Sequence, residues 1–293
     1  MDANNAMQII LPMVDAKRER SGFQVARVLA AILNASLRVA AAAPGLPARA
    51  HLAQQLSIPV EQLDDVAIED GADDLAAATI RIANAMARAL VILAIRLDDQ
   101  PPPHDMHSLD AVGLQVLEKL TCPVLIVPPE QDMSGWYLHK ELLPQDGTPN
   151  CATALANIIC QSMNRGIESL VLRVAGANVG QPAEPGSLAT PRYVDHPQYE
   201  WEAWGREFLD RIIGAGAAVK GTDLRLLMSS GDPATEILRV AQGESVDMIV
   251  LPWHCAFESG RARMLKAVLH GASCPVMLLP EHCGDGKTDT DMR

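Results

Sequence analysis

The sequence predicts an α/β protein made of two Rossmann-like, doubly wound five-stranded parallel sheets in tandem. Three observations predict it. Short apolar runs alternate with amphipathic helical patterns, which means parallel strands covered by helices on both faces. Four landmarks recur in the same order in the second half of the chain. The 293 residues are enough for two domains of ordinary size.

The first strand is expected at Ile9-Ile10-Leu11-Pro12-Met13-Val14-Asp15, an apolar run ending in an acid, and it returns as Glu141-Leu142-Leu143-Pro144-Gln145-Asp146. A helix follows each: Val25, Val28, Leu29, Ile32 and Leu33 mark one face of the first, and Leu155, Ile158, Ile159 and Met163 one face of the second. Val66-Ala67-Ile68-Glu69-Asp70-Gly71 then corresponds to Leu226-Leu227-Met228-Ser229-Ser230-Gly231, after which Asp232-Pro233 reads as an N-cap with proline at the first helical position. Ala89 to Ala94 corresponds to Val246 to Leu251. Thr121-Cys122-Pro123-Val124-Leu125-Ile126-Val127-Pro128 corresponds to Ser273-Cys274-Pro275-Val276-Met277-Leu278-Leu279-Pro280. The polar stretch from Pro129 to Gly135 separates the halves, so the expected domains are residues 1–130 and 136–293. A Gly/Pro-rich loop from Gly176 to Pro197 belongs to the second half alone.

Composition narrows the function classes. At 48% hydrophobic and 20% charged, the chain buries real cores, and with 3% aromatics those cores are aliphatic. A formal net charge of -12 repels phosphate backbones and anionic lipid, which argues against nucleic acid and membrane surfaces as partners. The start, Met1-Asp2-Ala3-Asn4-Asn5, lacks the basic n-region of an export signal, and arginines interrupt every Ala-rich stretch. Six cysteines without CxxC pairing read as reduced thiols, so the expected location is the cytoplasm.

These landmarks resemble the universal stress protein family, twice over and along nearly the whole chain. The residues that carry the resemblance are the first-strand aspartates Asp15 and Asp146, the Gly231-Asp232-Pro233 helix start, and the Cys-Pro-Val lead-in to the last strand at Cys122 to Val124 and Cys274 to Val276. In the second half, Asp146-Gly147-Thr148 matches the family's Asp-Gly-Ser/Thr. The resemblance implies strand order 3-2-1-4-5, a ligand crevice between the ends of strands 1 and 4, and pairing of two domains through their last strands. It also implies ATP or another adenine nucleotide as the cofactor, held by G-x2-G-x9-G-[ST] after the fourth strand, where glycines admit the phosphates to a helix start.

That motif fails in both halves. In the first, Arg96-Leu97-Asp98-Asp99-Gln100-Pro101-Pro102-Pro103-His104 has no glycine, and the final Gly-Ser falls on Asp110-Ala111. Both the backbone donors and the charge are wrong for an anion, so no nucleotide is expected there. In the second, Pro252 to Arg263 is short and its final Gly-Ser falls on Ala262-Arg263, yet Gly260, Arg261 and Arg263 sit at a helix start. The candidate nucleotide or anion site is therefore Asp146, Gly147, Thr148, Val174, Gly260, Arg261 and Arg263. In it Asp146 would accept from a ribose hydroxyl and Val174 would present its backbone to adenine. The alternative is that Arg261 and Arg263 are solvated, that Gly260 is a loop residue, and that Asp146 caps a neighbouring turn or helix.

Other constellations point to structure. His254-Cys255 and His282-Cys283 match no zinc spacing, so no metal is expected. No G-x-S-x-G elbow is present, and Asp15 and Asp146 read as caps or inherited ligand positions, so no catalytic residue is assigned. Trp201, Trp204, Phe208 and Ile212 share a helical face, read as a helix packed on its sheet or as a docking surface. The expectation is a stress-linked binding or regulatory protein, homodimeric or larger, with an unidentified protein partner or small ligand. The alternative is an adenine-nucleotide binder or slow ATPase using the second half.

Overall fold

In the computed structural model, the described residues are 6–14, 16–17, 19–41, 49–70, 74–95, 113, 116–117, 119–129, 131–146, 148–175, 205–211, 214, 224–253 and 260–280. Strands covered on both faces must be apolar throughout. All six residues of β1 (Gln8–Met13) and of β4 (Ala89–Ala94) are buried, as are all four of β5 (Val124–Val127). With β2 (Ser36–Ala41) and β3 (Val66–Asp70) they form the first half. The second half repeats the set as β6 (Lys140–Gln145), β7 (Glu168–Ala175), β8 (Leu224–Ser230), β9 (Met248–Trp253) and β10 (Val276–Pro280).

The intervening helices start and stop where side-chain chemistry directs. α1 (Arg20–Leu33) ends at Asn34 in the left-handed conformation, and Ala35 N–H returns to the Ala30 carbonyl at 2.9 Å. α2 (Arg49–Leu56) leads through a short 3-10 turn to β3. Asp74 caps α3 (Leu75–Asn84), its carboxylate accepting from Ala77 N–H at 2.8 Å. α4 (Pro149–Met163) and α5 (Pro233–Gly243) each carry proline at the helix start behind a Thr148 or Asp232 cap. α6 (Gly260–Gly271) follows β9.

Within each half the parallel order is 3-2-1-4-5, read as β3-β2-β1-β4-β5 and as β8-β7-β6-β9-β10. The two five-stranded sheets meet through their last strands, as the family resemblance implies. There is one sheet of ten strands, because β5 and β10 pair antiparallel. Leu125 faces Met277 in that pair, and these two are repeat equivalents, so a pseudo-twofold axis passes between them. The physical reason is edge protection: Val124-Leu125-Ile126-Val127 and its counterpart are apolar strands that would otherwise expose a row of unpaired backbone groups.

Two aliphatic layers cover the sheet, and each draws on both halves. One joins Val25 and Leu29 of α1 to Leu155 and Ile159 of α4. The other joins Ile82 of α3 to Ile237 of α5 and Val268 of α6. The connection between halves is pinned: Met133 N–H donates to Gln24 Oε1 at 2.8 Å and Trp136 Nε1 to the Asp247 carbonyl at 3.0 Å. Arg165 Nε reaches across to the Ile32 carbonyl at 3.1 Å, satisfying one of the last carbonyls of α1. Residues 205–211 are helical, and Phe208 is fully buried in the first layer, as a helix packed on its sheet requires. Trp201, Trp204 and Ile212 lie outside the described residues, as do Asp15, the loop at 96–111 and the loop at 176–197.

Candidate functional site

In an open parallel sheet, ligands collect where neighbouring strands send their following helices to opposite faces. That switch occurs between β6 and β9, which pair through Glu141–Met248 and Leu142–Ile249. After β6 the chain crosses to α4 on the first layer. After β9 it crosses to α6 on the second.

The turn leaving β6 is built by Asp146 and Thr148. Asp146 Oδ1 accepts from Thr148 N–H at 2.9 Å and from the Thr148 hydroxyl at 2.8 Å. The same hydroxyl oxygen accepts from Cys151 N–H at 3.2 Å, capping α4. Thr148 is buried, whereas Asp146 is exposed at the mouth of the crevice. Asp146 therefore closes a turn, as the structural alternative required.

A residue that the sequence reading passed over lies directly behind it. Arg173 on β7 stands opposite Gln145 in the β6–β7 register and donates from Nη1 to the Gln145 carbonyl at 3.1 Å. Its side chain is buried. Burial pulls the guanidinium below its ordinary pKa, and the charges of Asp146 and Cys151 act in the opposite direction. A guanidinium does not deprotonate in a protein, so a buried positive charge sits next to Asp146 at this strand end. The signal was present: an arginine at an inward position of the apolar run Ser169-Leu170-Val171-Leu172-Arg173-Val174 is rarely buried without a partner.

Val174, half-buried, sits one residue further along β7 and pairs with Ser229 of β8. Asp146, Thr148 and Val174 thus share the carboxyl end of the sheet, and Gly260 starts the helix that follows β9 at that same end. Arg263 is exposed. Gly147 and the side chain of Arg261 lie outside the described residues.

The first half is built differently at the corresponding turn. Glu19, fully buried, turns its carboxylate back on the end of β1, where Oε2 accepts from Val14 N–H at 2.8 Å. In the sequence this acid sits in the charged run Lys17-Arg18-Glu19-Arg20 and reads as solvated, so its burial had no local signature.

The Ser229-Ser230-Gly231-Asp232 segment is structural. Gly231 adopts a φ of +139°, which favours glycine, and Asp232 Oδ1 accepts from Thr235 N–H at 2.9 Å and its hydroxyl at 2.7 Å to cap α5. Burial pushes the Cys122 thiol up to about 11 and the Cys274 thiol up to about 12, so both stay protonated. Among the described residues no group of three or more His, Cys, Asp or Glu could hold a metal ion, and no helix is long and apolar enough to cross a membrane. His254, Cys255, His282 and Cys283 lie outside the described residues.

Residues 139–280, which contain this whole arrangement, match the universal stress protein family. That match covers the second half of the chain, just under half of its length. Solved structures extend the fold likeness to nearly the full length. A universal stress protein from Archaeoglobus fulgidus DSM 4304 is 13% identical, with 94% of this chain and 96% of that chain covered at a TM-score of 0.55. A functionally unknown protein from Pseudomonas aeruginosa PAO1 is 19% identical, with 95% and 93% covered at a TM-score of 0.60. The cytoplasmic domain of a prokaryotic cation chloride cotransporter is 13% identical, with 93% and 95% covered at a TM-score of 0.53. At these identities the likeness is one of fold. No curated protein matches this chain in sequence.

Proposed function

We propose that this chain is a tandem universal stress protein that works as a cytoplasmic binding or regulatory module rather than an enzyme, with domains at residues 1–130 and 136–293 and a ligand position kept in the second half alone. The observation that carries this reading is the role of Asp146. Its carboxylate oxygen is taken up by both donors of Thr148, which is the work of a turn-closing acid and not of a general base. The described carboxyl whose pKa is raised, Glu141, is closed to solvent at the amino end of β6, a strand's length from the crevice. In the first half the Glu19 carboxyl takes up the strand-end N–H of Val14, a backbone donor that is thereby lost to a phosphate.

A second reading, an adenine-nucleotide binder or slow ATPase, is favoured by the arrangement at the second crevice. Asp146, Thr148 and Val174 share one strand end with the head of α6, and Arg173 adds a buried positive charge. Calorimetric titration of ATP, ADP and AMP into the wild type and Asp146→Ala separates the two. No heat at millimolar nucleotide is expected for a regulatory module with a degenerate nucleotide site. Binding that Asp146→Ala abolishes would establish the second reading, and phosphate release would then distinguish binder from ATPase. The module would act as a homodimer or larger assembly on a protein partner or small ligand. Since β5 and β10 already satisfy each other within the chain, self-association would use another surface.

A further inference from the structure

The opposite end of the second half holds a partly enclosed cavity of about 230 Å³, between the last turns of α5 and α6 and the amino ends of β9 and β10. Small residues leave this space open. Gly271 ends α6 against Leu238, whose Cδ1 would lie only 2.5 Å from a Cβ at that position, and Ala241 and Ala272 add little volume. The apolar wall is Leu238, Ala241, Val246 and Ile249. Opposite stand the neutral hydrogen-bonding groups of Gln242 and Ser273 and the Cys274 thiol, which burial and the charge of Asp247 keep protonated.

The electrostatics select against anions. Both α5 and α6 direct their carboxyl ends, the negative poles of their dipoles, toward this space. Among the lining residues the one cation is Arg239, and its guanidinium is engaged by Glu236 Oε2 at 2.9 Å from Nε and 2.7 Å from Nη2. A phosphate or carboxylate would meet helix carbonyls and no available positive charge. Size sets the other bound: an apolar cavity of about 150 Å³ takes up benzene, so this one accommodates a six-membered ring bearing a short polar arm.

We propose that this cavity is a second ligand site, separate from the strand-end crevice, which takes up a compact neutral molecule with an aromatic or branched apolar body and one hydroxyl. The body packs on Leu238, Val246 and Ile249, and the hydroxyl exchanges hydrogen bonds with Gln242 and Ser273. The site is independent of the nucleotide question, since it lies at the other end of the sheet and excludes anions.

The test is a ¹H–¹⁵N chemical-shift titration of the full chain with benzyl alcohol, with sodium benzoate as the anionic probe of the same size. Saturable shifts are expected at the amides of Gly271, Ala272, Ser273 and Cys274 with benzyl alcohol and not with benzoate. Ala241→Leu, which fills the space, should lose the saturable response while keeping or raising the melting temperature. Should that variant fail to fold, Ser273→Leu fills the same space from the loop and serves in its place. Linear, unsaturable shifts in the wild type, an unchanged response in the filled variant, or equal binding of benzoate would each overturn the proposal.

Discussion

Replacing Glu141 by glutamine should make the protein more stable at neutral and alkaline pH, and the gain should vanish in mild acid. Glu141 lies on β6 with no solvent exposure; Ser169 donates its hydroxyl to Oε1 at 2.8 Å. Oε2 is buried without a hydrogen-bond partner. Burial raises the carboxyl from 4.5 to about 7, and hydrogen bonds from Ser162 and Ser169 only partly oppose it. The folded protein therefore holds a proton that the unfolded chain has released between pH 4.5 and about 7. Unfolding free energy falls with rising pH across that window and levels off above it. The rise from 4.5 to about 7 corresponds to roughly 3–4 kcal/mol, at ~1.4 kcal/mol per pH unit. Glutamine keeps the shape and one acceptor and never ionises, so it removes the slope. Urea denaturation at pH 5 and pH 8 measures the difference, and by thermal melting the gain at pH 8 should be ~6–8 °C at ~2 °C per kcal/mol. A loss of stability for Glu141→Gln that is equal at both pH values would refute the reasoning, because the acid would then be acting as an ionised hydrogen-bond acceptor throughout.

Thr148→Val removes the hydroxyl that caps α4 and anchors Asp146, and should cost about 1 kcal/mol by urea denaturation. Leu125→Ala empties a fully buried position on the pseudo-twofold axis and should cost about 2–5 kcal/mol; a single cooperative transition is expected to persist, since both core layers span the two halves. Phe208→Ala should cost about 3–5 kcal/mol, and a near-neutral result would show that its helix serves a partner and not the core. Asp232→Ala should reduce acid sensitivity: the Thr235 donors hold this carboxyl below its ordinary pKa, so its contribution is present above the unfolded value and is lost as pH falls.

The pattern of alternating apolar runs and helical faces was enough to obtain the α/β class and the duplication, because burial on both faces leaves a strand no choice of composition; the order of strands within each half came from the family resemblance. The cap at Asp232-Pro233 was equally legible, because it is local chemistry settled by atoms two or three residues apart. The family resemblance added the pairing of last strands, and the alignment of Leu125 with Met277 fell on the axis itself.

Tertiary structure alone decided the rest. The register in which the last strands join the two halves into one ten-stranded sheet depends on a contact between residues some 150 apart in sequence, which no local pattern encodes. Glu19 and Glu141 look like surface charges in a sequence, and Arg173 is marked only by the apolar run around it; all three are buried in the fold. Their meaning comes from what the opposite strand or helix places beside them: the Val14 N–H, the Ser169 hydroxyl, the Gln145 carbonyl. A charge reports its own type in the sequence, but its energy is set by the solvent it has lost and the partners it has gained, and both are properties of three-dimensional packing.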